Sequence, residues 1–217
     1  MRRFKAIIFD LDGTLLDSLE DIADSMNLVL EKAGFPTHPL DAYKYFIGDG
    51  IDVLVQRALP RKNFKPTMIS RYRAALRETY GERWAAKTCP YPGVEKLLGR
   101  CQTSGLKMAI LSNKPDGATR ATVNHFLSPE IFTAIQGARP GTPNKPHPRG
   151  AELIAGQLGV EPAQCIFLGD MPVDMQTARA TGMYPVGALW GMRTARELIE
   201  GGAELLAVTP AALADWL

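Results

Sequence analysis

Two aspartates, Asp10 and Asp12, close the first apolar run of the chain, and Gly13 and Thr14 follow at once. Two carboxylates at the mouth of a strand can share one cation, or divide nucleophilic and acid–base work between them. An isolated Asp-Gly pair would read as a plain turn. Here, three further sets of residues able to serve one chemistry lie downstream. Ser112-Asn113-Lys114 follows the apolar run Met108 to Leu111, Gly169-Asp170 follows Ile166 to Leu168 with Asp174 four residues beyond, and Lys145 sits in the Pro/Gly-rich stretch 137–148. Taken singly, Ser112 and Asp170 are possible helix caps, Lys145 a surface lysine and Asp174 an exposed helical acid. Taken together they are one chemistry. Acids from two strands can hold a hard cation such as Mg²⁺ through oxygen ligands. A lysine and a hydroxyl can then neutralise and orient phosphoryl oxygens, as phosphoryl transfer requires.

The elements that must position these groups alternate. Ala6 to Phe9 is a short continuous apolar run and predicts a buried strand. Further strands are expected at 107–111, 131–135 and 166–168, with weaker ones at 185–189 and 205–208. Helices are expected at 94–103, 118–126, 149–158 and 175–180. Alternating strands and helices predict α/β architecture, a doubly wound parallel sheet with right-handed crossovers. Functional groups then gather outside the carboxyl ends of the strands. Between the first strand and this alternation the pattern is purely helical. Leu19, Ile22, Ala23, Met26 and Leu30 recur at helical spacing, with Ser18 as N-cap and Gly34 as stop. Ile51, Leu54, Val55, Ala58 and Leu59 repeat the spacing up to Pro60, and Ile69, Tyr72, Leu76 and Tyr80 repeat it up to Gly81. The expected domains are an α/β core from residues 1–16 and 87–217, with an all-helical insert at 17–86.

Composition narrows the function classes. The 217 residues carry a net charge of only +2, and no basic stripe with interleaved aromatics suggests nucleic acid. Cys89, Cys101 and Cys165 form no CxxC pair, which argues against a disulfide framework or a zinc site. His38, His125 and His147 are scattered. Met1-Arg2-Arg3-Phe4-Lys5 has the charge of a signal n-region, but the apolar run ends at Asp10, too soon for an h-region. No stretch approaches the roughly 20 apolar residues of a membrane helix. The expected setting is cytoplasmic, with a small phosphorylated molecule as partner, no nucleic acid, no membrane, and the chain as monomer or homodimer.

The string Asp10-x-Asp12-Gly13-Thr14, with Ser112-Asn113-Lys114, Lys145-Pro146 and Gly169-Asp170-x-x-x-Asp174 in that order, resembles the four motifs of the haloacid dehalogenase superfamily across nearly the whole chain. The helical insert places the resemblance in the subgroup with a helical cap. Within it, Ile47-Gly48-Asp49-Gly50 leading to Arg57-Ala58-Leu59 is similar to the phosphoglycolate phosphatases. The resemblance implies that Asp10 is the nucleophile forming a phosphoaspartate, and that Asp12 protonates the leaving oxygen and then activates water. It implies that Ser112 and Lys145 hold the transferring phosphoryl group, and that Thr14, Asn113, Gly48 and Gly50 help bind substrate. Mg²⁺ would be held by Asp10, the main-chain carbonyl of Asp12 and Asp170, with Asp174 at or near that shell. The implied activity is a phosphoric monoester hydrolase of the phosphoglycolate phosphatase kind. A pyrophosphatase or sugar-phosphate phosphatase would show the same motifs. A catalytically inactive binding or regulatory module would usually have lost the nucleophile or the lysine. Met171, where many relatives carry Ser or Thr, departs from the pattern.

Overall fold

The structure is a computed structural model that describes residues 4–60 and 65–217. Met1 to Arg3, the start of the basic opening, lie outside the described residues. The chain divides into two compact units, Met1–Asp17 with Pro90–Leu217, and Ser18–Cys89. The sequence pattern cuts it one to three residues earlier, after residues 16 and 86.

The first unit is built on six parallel strands. These are β1 (Ala6–Phe9), β4 (Lys107–Pro115), β5 (Phe132–Ala138), β6 (Cys165–Gly169), β7 (Tyr184–Ala188) and β8 (Leu205–Ala207), in the order β5-β4-β1-β6-β7-β8. Two short strands, β2 (Leu16–Asp17) and β3 (Cys89–Pro90), mark where the chain leaves this unit and returns. Side chains along the strands alternate between two buried layers, as a pleated strand requires. Ile7, Phe9, Met108, Ile110, Ile166 and Leu168 enter one layer with Val94, Leu97 and Leu98. Ala6, Ile8, Ala109, Leu111, Cys165 and Phe167 enter the other with Ala151, Ile154 and Leu158. Both faces are buried, which is why the strands read as continuous apolar runs rather than as alternating ones. The covering helices include α5 (Val94–Thr103), α6 (Asp116–Phe126), α7 (Arg149–Leu158) and α8 (Pro172–Thr181).

Strand order locates the site. From β1 the sheet grows outward through β4 and β5, and then restarts on the opposite side of β1 with β6. The reversal falls between β1 and β6, and the carboxyl ends of strands at such a reversal are the usual ligand position in sheets of this kind. Phe9 is in register with Ile110 on one side and Leu168 on the other. Asp10 therefore emerges level with Leu111 and Gly169.

Three expectations need correction. β4 does not stop at Leu111; it runs to Pro115, with a shift in its pairing to β5 between Leu111 and Pro115. Ser112, Asn113 and Lys114 thus lie in an irregular stretch of strand, and Ser112 caps no helix. The helix expected to end at Gly81 continues to Arg83. A glycine inside a helix costs about 1 kcal/mol against alanine, which neighbouring turns easily carry. Two short helices escaped the periodicity, α9 (Ala195–Gly201) and α10 (Pro210–Trp216).

The second unit is helical: α1 (Leu19–Lys32), α2 (Leu40–Phe46), α3 (Ile51–Ala58) and α4 (Pro66–Arg83). Ile22, Met26, Leu30, Leu54, Val55, Tyr72 and Leu76 are buried, as their spacing predicts. A further short helix, α2, was not expected. Asn27 anchors the turn before it, since its side chain donates to the His38 carbonyl and accepts from the His38 N–H and the Tyr43 hydroxyl. Asp21, 2% exposed, accepts hydrogen bonds from the N–H groups of Lys87 and Thr88 and from the Thr88 hydroxyl. One carboxylate thus ties the start of the unit to its end. No helix among the described residues is long and apolar enough to cross a membrane.

Candidate active site

Asp10 is the first residue beyond β1, and its N–H donates to the Leu168 carbonyl of β6 at 2.9 Å. The next residues fold back tightly: the Gly13 N–H donates to the Leu16 carbonyl and the Leu15 N–H to the Leu11 carbonyl. Gly13 has φ +92°, and a Cβ there would collide with the Asp170 carboxylate. The glycine after the second aspartate is therefore required both by conformation and by space.

Asp10, Asp170 and Asp174 bring carboxylate oxygens within 4.8 Å of one another, and all three are buried. Lys145 enters the same cluster. Its Nζ donates to Asp10 Oδ1 and to Asp174 Oδ1, each at 2.7 Å. The loop carrying Lys145 is held by Asn113, whose side-chain oxygen accepts from the Lys145 N–H while its side-chain nitrogen donates to the Lys145 carbonyl. Asp174 is fixed on its other oxygen by the Met171 N–H at 3.0 Å. The main chain of Met171, not a hydroxyl, therefore does the holding at that position. Asp170 accepts from the Thr14 hydroxyl at 2.9 Å and from the Met192 N–H at 2.9 Å.

Electrostatics follow from burial. Loss of solvent pushes the Asp10 carboxyl up to about 8 against the pull of Lys145, and the charges of Asp174 and Asp170 add to the rise. Burial likewise pushes Asp170 up to about 7, helped by Asp174 and opposed by the Met192 N–H and the Thr14 hydroxyl. At Lys145, burial disfavours the charge but Asp10 and Asp174 outweigh it, so its ammonium is held above its ordinary range. Three acids against one ammonium leave surplus negative charge that a proton or a cation must offset. An all-oxygen donor set with surplus charge fits a hard divalent cation.

Asp12 stands slightly apart. Its carboxylate is not one of the three clustered groups; it pairs instead with Lys114 Nζ, at 2.9 and 3.3 Å to its two oxygens. The cation role expected of Asp12 was for its main-chain carbonyl, and its side chain is engaged with Lys114. Ser112, 5% exposed, accepts from the Lys114 N–H at 3.2 Å. Gly48 and Gly50 belong to the helical unit and have φ +114° and +96°, with Gly50 leading into α3. The Asp49 carboxylate between them pairs with Arg57 at 2.7 Å, which neutralises the charge that would repel an anion there.

Four contributors were given no role by sequence reasoning. Lys114 was quoted within its motif but given no partner. Trp190, Gly191 and Met192 form a supporting loop: Trp190 Nε1 donates to the Thr14 carbonyl at 2.8 Å, and Met192 donates to Asp170. A Cβ at Gly191 would overlap Asp170 and the Gly13 carbonyl. The Gly-Met after the aromatic residue was the available signal, a glycine just beyond the end of β7.

Residues 7–188 match the profile of the haloacid dehalogenase-like hydrolases. The chain belongs to that family. It is 32% identical over 197 residues to the phosphoglycolate phosphatase of Pasteurella multocida (strain Pm70), covering 88% of each chain. It is likewise 32% identical over 195 residues to the phosphoglycolate phosphatase of Haemophilus influenzae (strain 86-028NP), with 87% of each covered. Among solved structures, a predicted phosphoglycolate phosphatase from Haemophilus somnus 129pt superposes with a TM-score of 0.91 at 28% identity, over 98% of this chain and 97% of that one. The haloacid dehalogenase-like fold is thus shared along nearly the full length, and the chain is a phosphatase of this family.

Proposed function

We propose that this haloacid dehalogenase-like enzyme is a Mg²⁺-dependent phosphomonoester hydrolase that works through a phosphoaspartate on Asp10 and acts on 2-phosphoglycolate. The observation that supports the mechanism best is the buried cluster of Asp10, Asp170, Asp174 and Lys145 beside the Asp12–Lys114 pair. Asp10 attacks phosphorus, and the bond to the leaving oxygen breaks as Asp12 gives that oxygen a proton. Asp12 then takes a proton from water, whose oxygen displaces Asp10 from phosphorus and releases phosphate. Lys145 and the Ser112 hydroxyl neutralise and orient the transferring group. The carboxylates of Asp10 and Asp170, with the Asp12 carbonyl, would hold the cation. Mg²⁺ when bound supplies charge stabilisation of the phosphoryl oxygens.

Thr14 and Asn113 serve as positioning residues in this reading, because the Thr14 hydroxyl goes to Asp170 and the Asn113 amide to the backbone of Lys145. Asp174 acts in the same way, with one oxygen on Lys145 and the other on the Met171 N–H. The unit 18–89 is read as the cap, and Gly48 and Gly50 as substrate-binding residues within it, on the similarity to phosphoglycolate phosphatases. The substrate assignment is supported by the similarity to phosphoglycolate phosphatases. Three free thiols suit a reducing, cytoplasmic setting.

The test is a panel of 2-phosphoglycolate, pyrophosphate and hexose phosphates ranked by kcat/KM with Mg²⁺, after EDTA, and after Mg²⁺ is restored. Phosphoglycolate should rank first, chelation should stop turnover, and Asp10→Asn should remove it by several orders of magnitude. A higher rank for pyrophosphate or hexose phosphates overturns the substrate. Turnover by a pure Asp10→Asn protein overturns the mechanism.

A further inference from the structure

Trp190 stands beside the site, and the mechanism gives it no task. It packs partly buried at the edge of one core layer, yet its single polar atom is used inside the site: Nε1 donates to the Thr14 carbonyl at 2.8 Å. We propose that Trp190 is a positioning residue for the cation, which it serves by holding, through Thr14, the Asp170 carboxylate in one orientation. The inference rests on the reading above that Asp170 is a cation ligand.

The contacts close a ring. Thr14 is fully buried, and its hydroxyl donates to Asp170 Oδ1 at 2.9 Å. The Met192 N–H donates to Asp170 Oδ2 at 2.9 Å. Trp190 grips Thr14 from the other side, and the chain joins Trp190 to Met192 through Gly191. Gly191 fits against Asp170 and the Gly13 carbonyl so closely that a Cβ would overlap both. Asp170 is itself fully buried, so bulk water offers its oxygens no other donors. An ionised carboxylate has about four lone-pair sites on its two oxygens. One donor on each leaves both oxygens able to face a cation and fixes the plane in which they do so. The same grip reaches the other ligand expected nearby. Thr14 belongs to the tight fold that carries the Asp12 carbonyl, where the Gly13 N–H donates to the Leu16 carbonyl. Trp190 thus ties the turn after β1 to the acid after β6, and one ion must touch both. Packing alone would not select this acceptor. An indole N–H is a single donor that any nearby carbonyl or water can satisfy. Here it meets the residue whose hydroxyl holds Asp170. Groups that hold a metal ligand from behind change its affinity for the ion by about ten- to a hundred-fold.

Trp190→Phe keeps an aromatic ring and removes the donor. The Mg²⁺ dissociation constant is measured by isothermal titration calorimetry on EDTA-treated, dialysed protein, for the wild type, Trp190→Phe, Thr14→Val and the double variant. Trp190→Phe should weaken Mg²⁺ binding about three- to tenfold, the range of one hydrogen bond. Thr14→Val deletes the hydroxyl on Asp170 at nearly constant shape and should weaken binding about tenfold or more. The double variant should fall well short of the product of the two losses, as links of one chain do. The rise in Tm on adding a fixed millimolar Mg²⁺ should be smaller in Trp190→Phe than in the wild type. A packing loss would instead lower Tm equally in EDTA and in Mg²⁺. An unchanged dissociation constant in folded Trp190→Phe overturns the proposal. So does a fully multiplicative double variant, which would make Trp190 and Thr14 independent. If Trp190→Phe does not fold, Thr14→Val cuts the same chain one link nearer Asp170, and an unchanged constant there overturns the proposal too. Wild-type protein that binds no Mg²⁺ overturns the cation reading itself, whereas wild-type binding that Trp190→Phe leaves intact overturns this inference alone.

Discussion

Replacing Lys145 with Met removes the cation that, among the described residues, pairs with the Asp10–Asp170–Asp174 cluster, while keeping much of its apolar volume. The side chain is 3% exposed and bridges Asp10 and Asp174, which are 8% and 0% exposed. Breaking a buried pair from one side costs about 3–5 kcal/mol, because the remaining charge loses its counter-ion and has no water to replace it. For a chain of this length each kcal/mol lowers Tm by about 2–4 °C, so the loss should be about 6–20 °C in metal-free buffer at pH 8.5.

The pH dependence distinguishes this account from simple loss of packing. Asp10 and Asp170 have folded-state values of about 8 and about 7, above the ordinary 3.8 of an unfolded aspartate. Between those values and 3.8, the folded protein holds more protons than the unfolded one. Stability of the metal-free protein therefore falls as pH rises through that window. At pH 5.5 Asp10 and Asp170 are protonated in the folded state, and losing Lys145 removes less attraction. The Tm deficit of Lys145→Met should thus be several degrees smaller at pH 5.5 than at pH 8.5. Added Mg²⁺ at millimolar concentration should narrow it at the higher pH. Differential scanning calorimetry in EDTA at both pH values, then with Mg²⁺, makes the measurement. An equal deficit at pH 5.5 and 8.5, unmoved by Mg²⁺, would show that Lys145 contributes packing alone and would refute the charge argument.

Two other perturbations probe the supports of the site and of the helical unit. Asp21→Ala leaves the N–H groups of Lys87 and Thr88 without their acceptor, and should cost about 3 kcal/mol at about 1–3 kcal/mol for each unsatisfied group. Hydrogen exchange at residues 87–88 should accelerate; unchanged protection there would count against the tie. Gly191→Ala places a methyl where Asp170 and the Gly13 carbonyl already stand, and should lower stability by about 1–3 kcal/mol. It should also raise the Mg²⁺ concentration needed for half-maximal turnover, and an unshifted requirement would mean that the Asp170 position tolerates the displacement.

The two levels of legibility have different physical origins. Asp10, Asp170, Asp174 and Lys145 were readable because their types are rarely placed together at strand ends for other reasons, and because a parallel sheet gathers those ends on one edge. The strands were readable as apolar runs because both faces are buried. The short helices were not, since seven residues give too few turns for a period. Their signals were local instead: Thr194 accepts from the Glu197 N–H and Glu197 accepts in return from the Thr194 N–H, while Thr209 precedes Pro210 at the start of α10. Lys114 was unreadable for a further reason. A lysine's default is solvent, and its partner Asp12 is 102 positions away in sequence. What joins them is the register that sets Phe9 beside Ile110, together with the irregular extension of β4 past Leu111. Motif spelling fixes which groups belong to the site. Register fixes which of them touch, and so the pairing of Asp12 with Lys114 rather than with Lys145 is a property of the sheet.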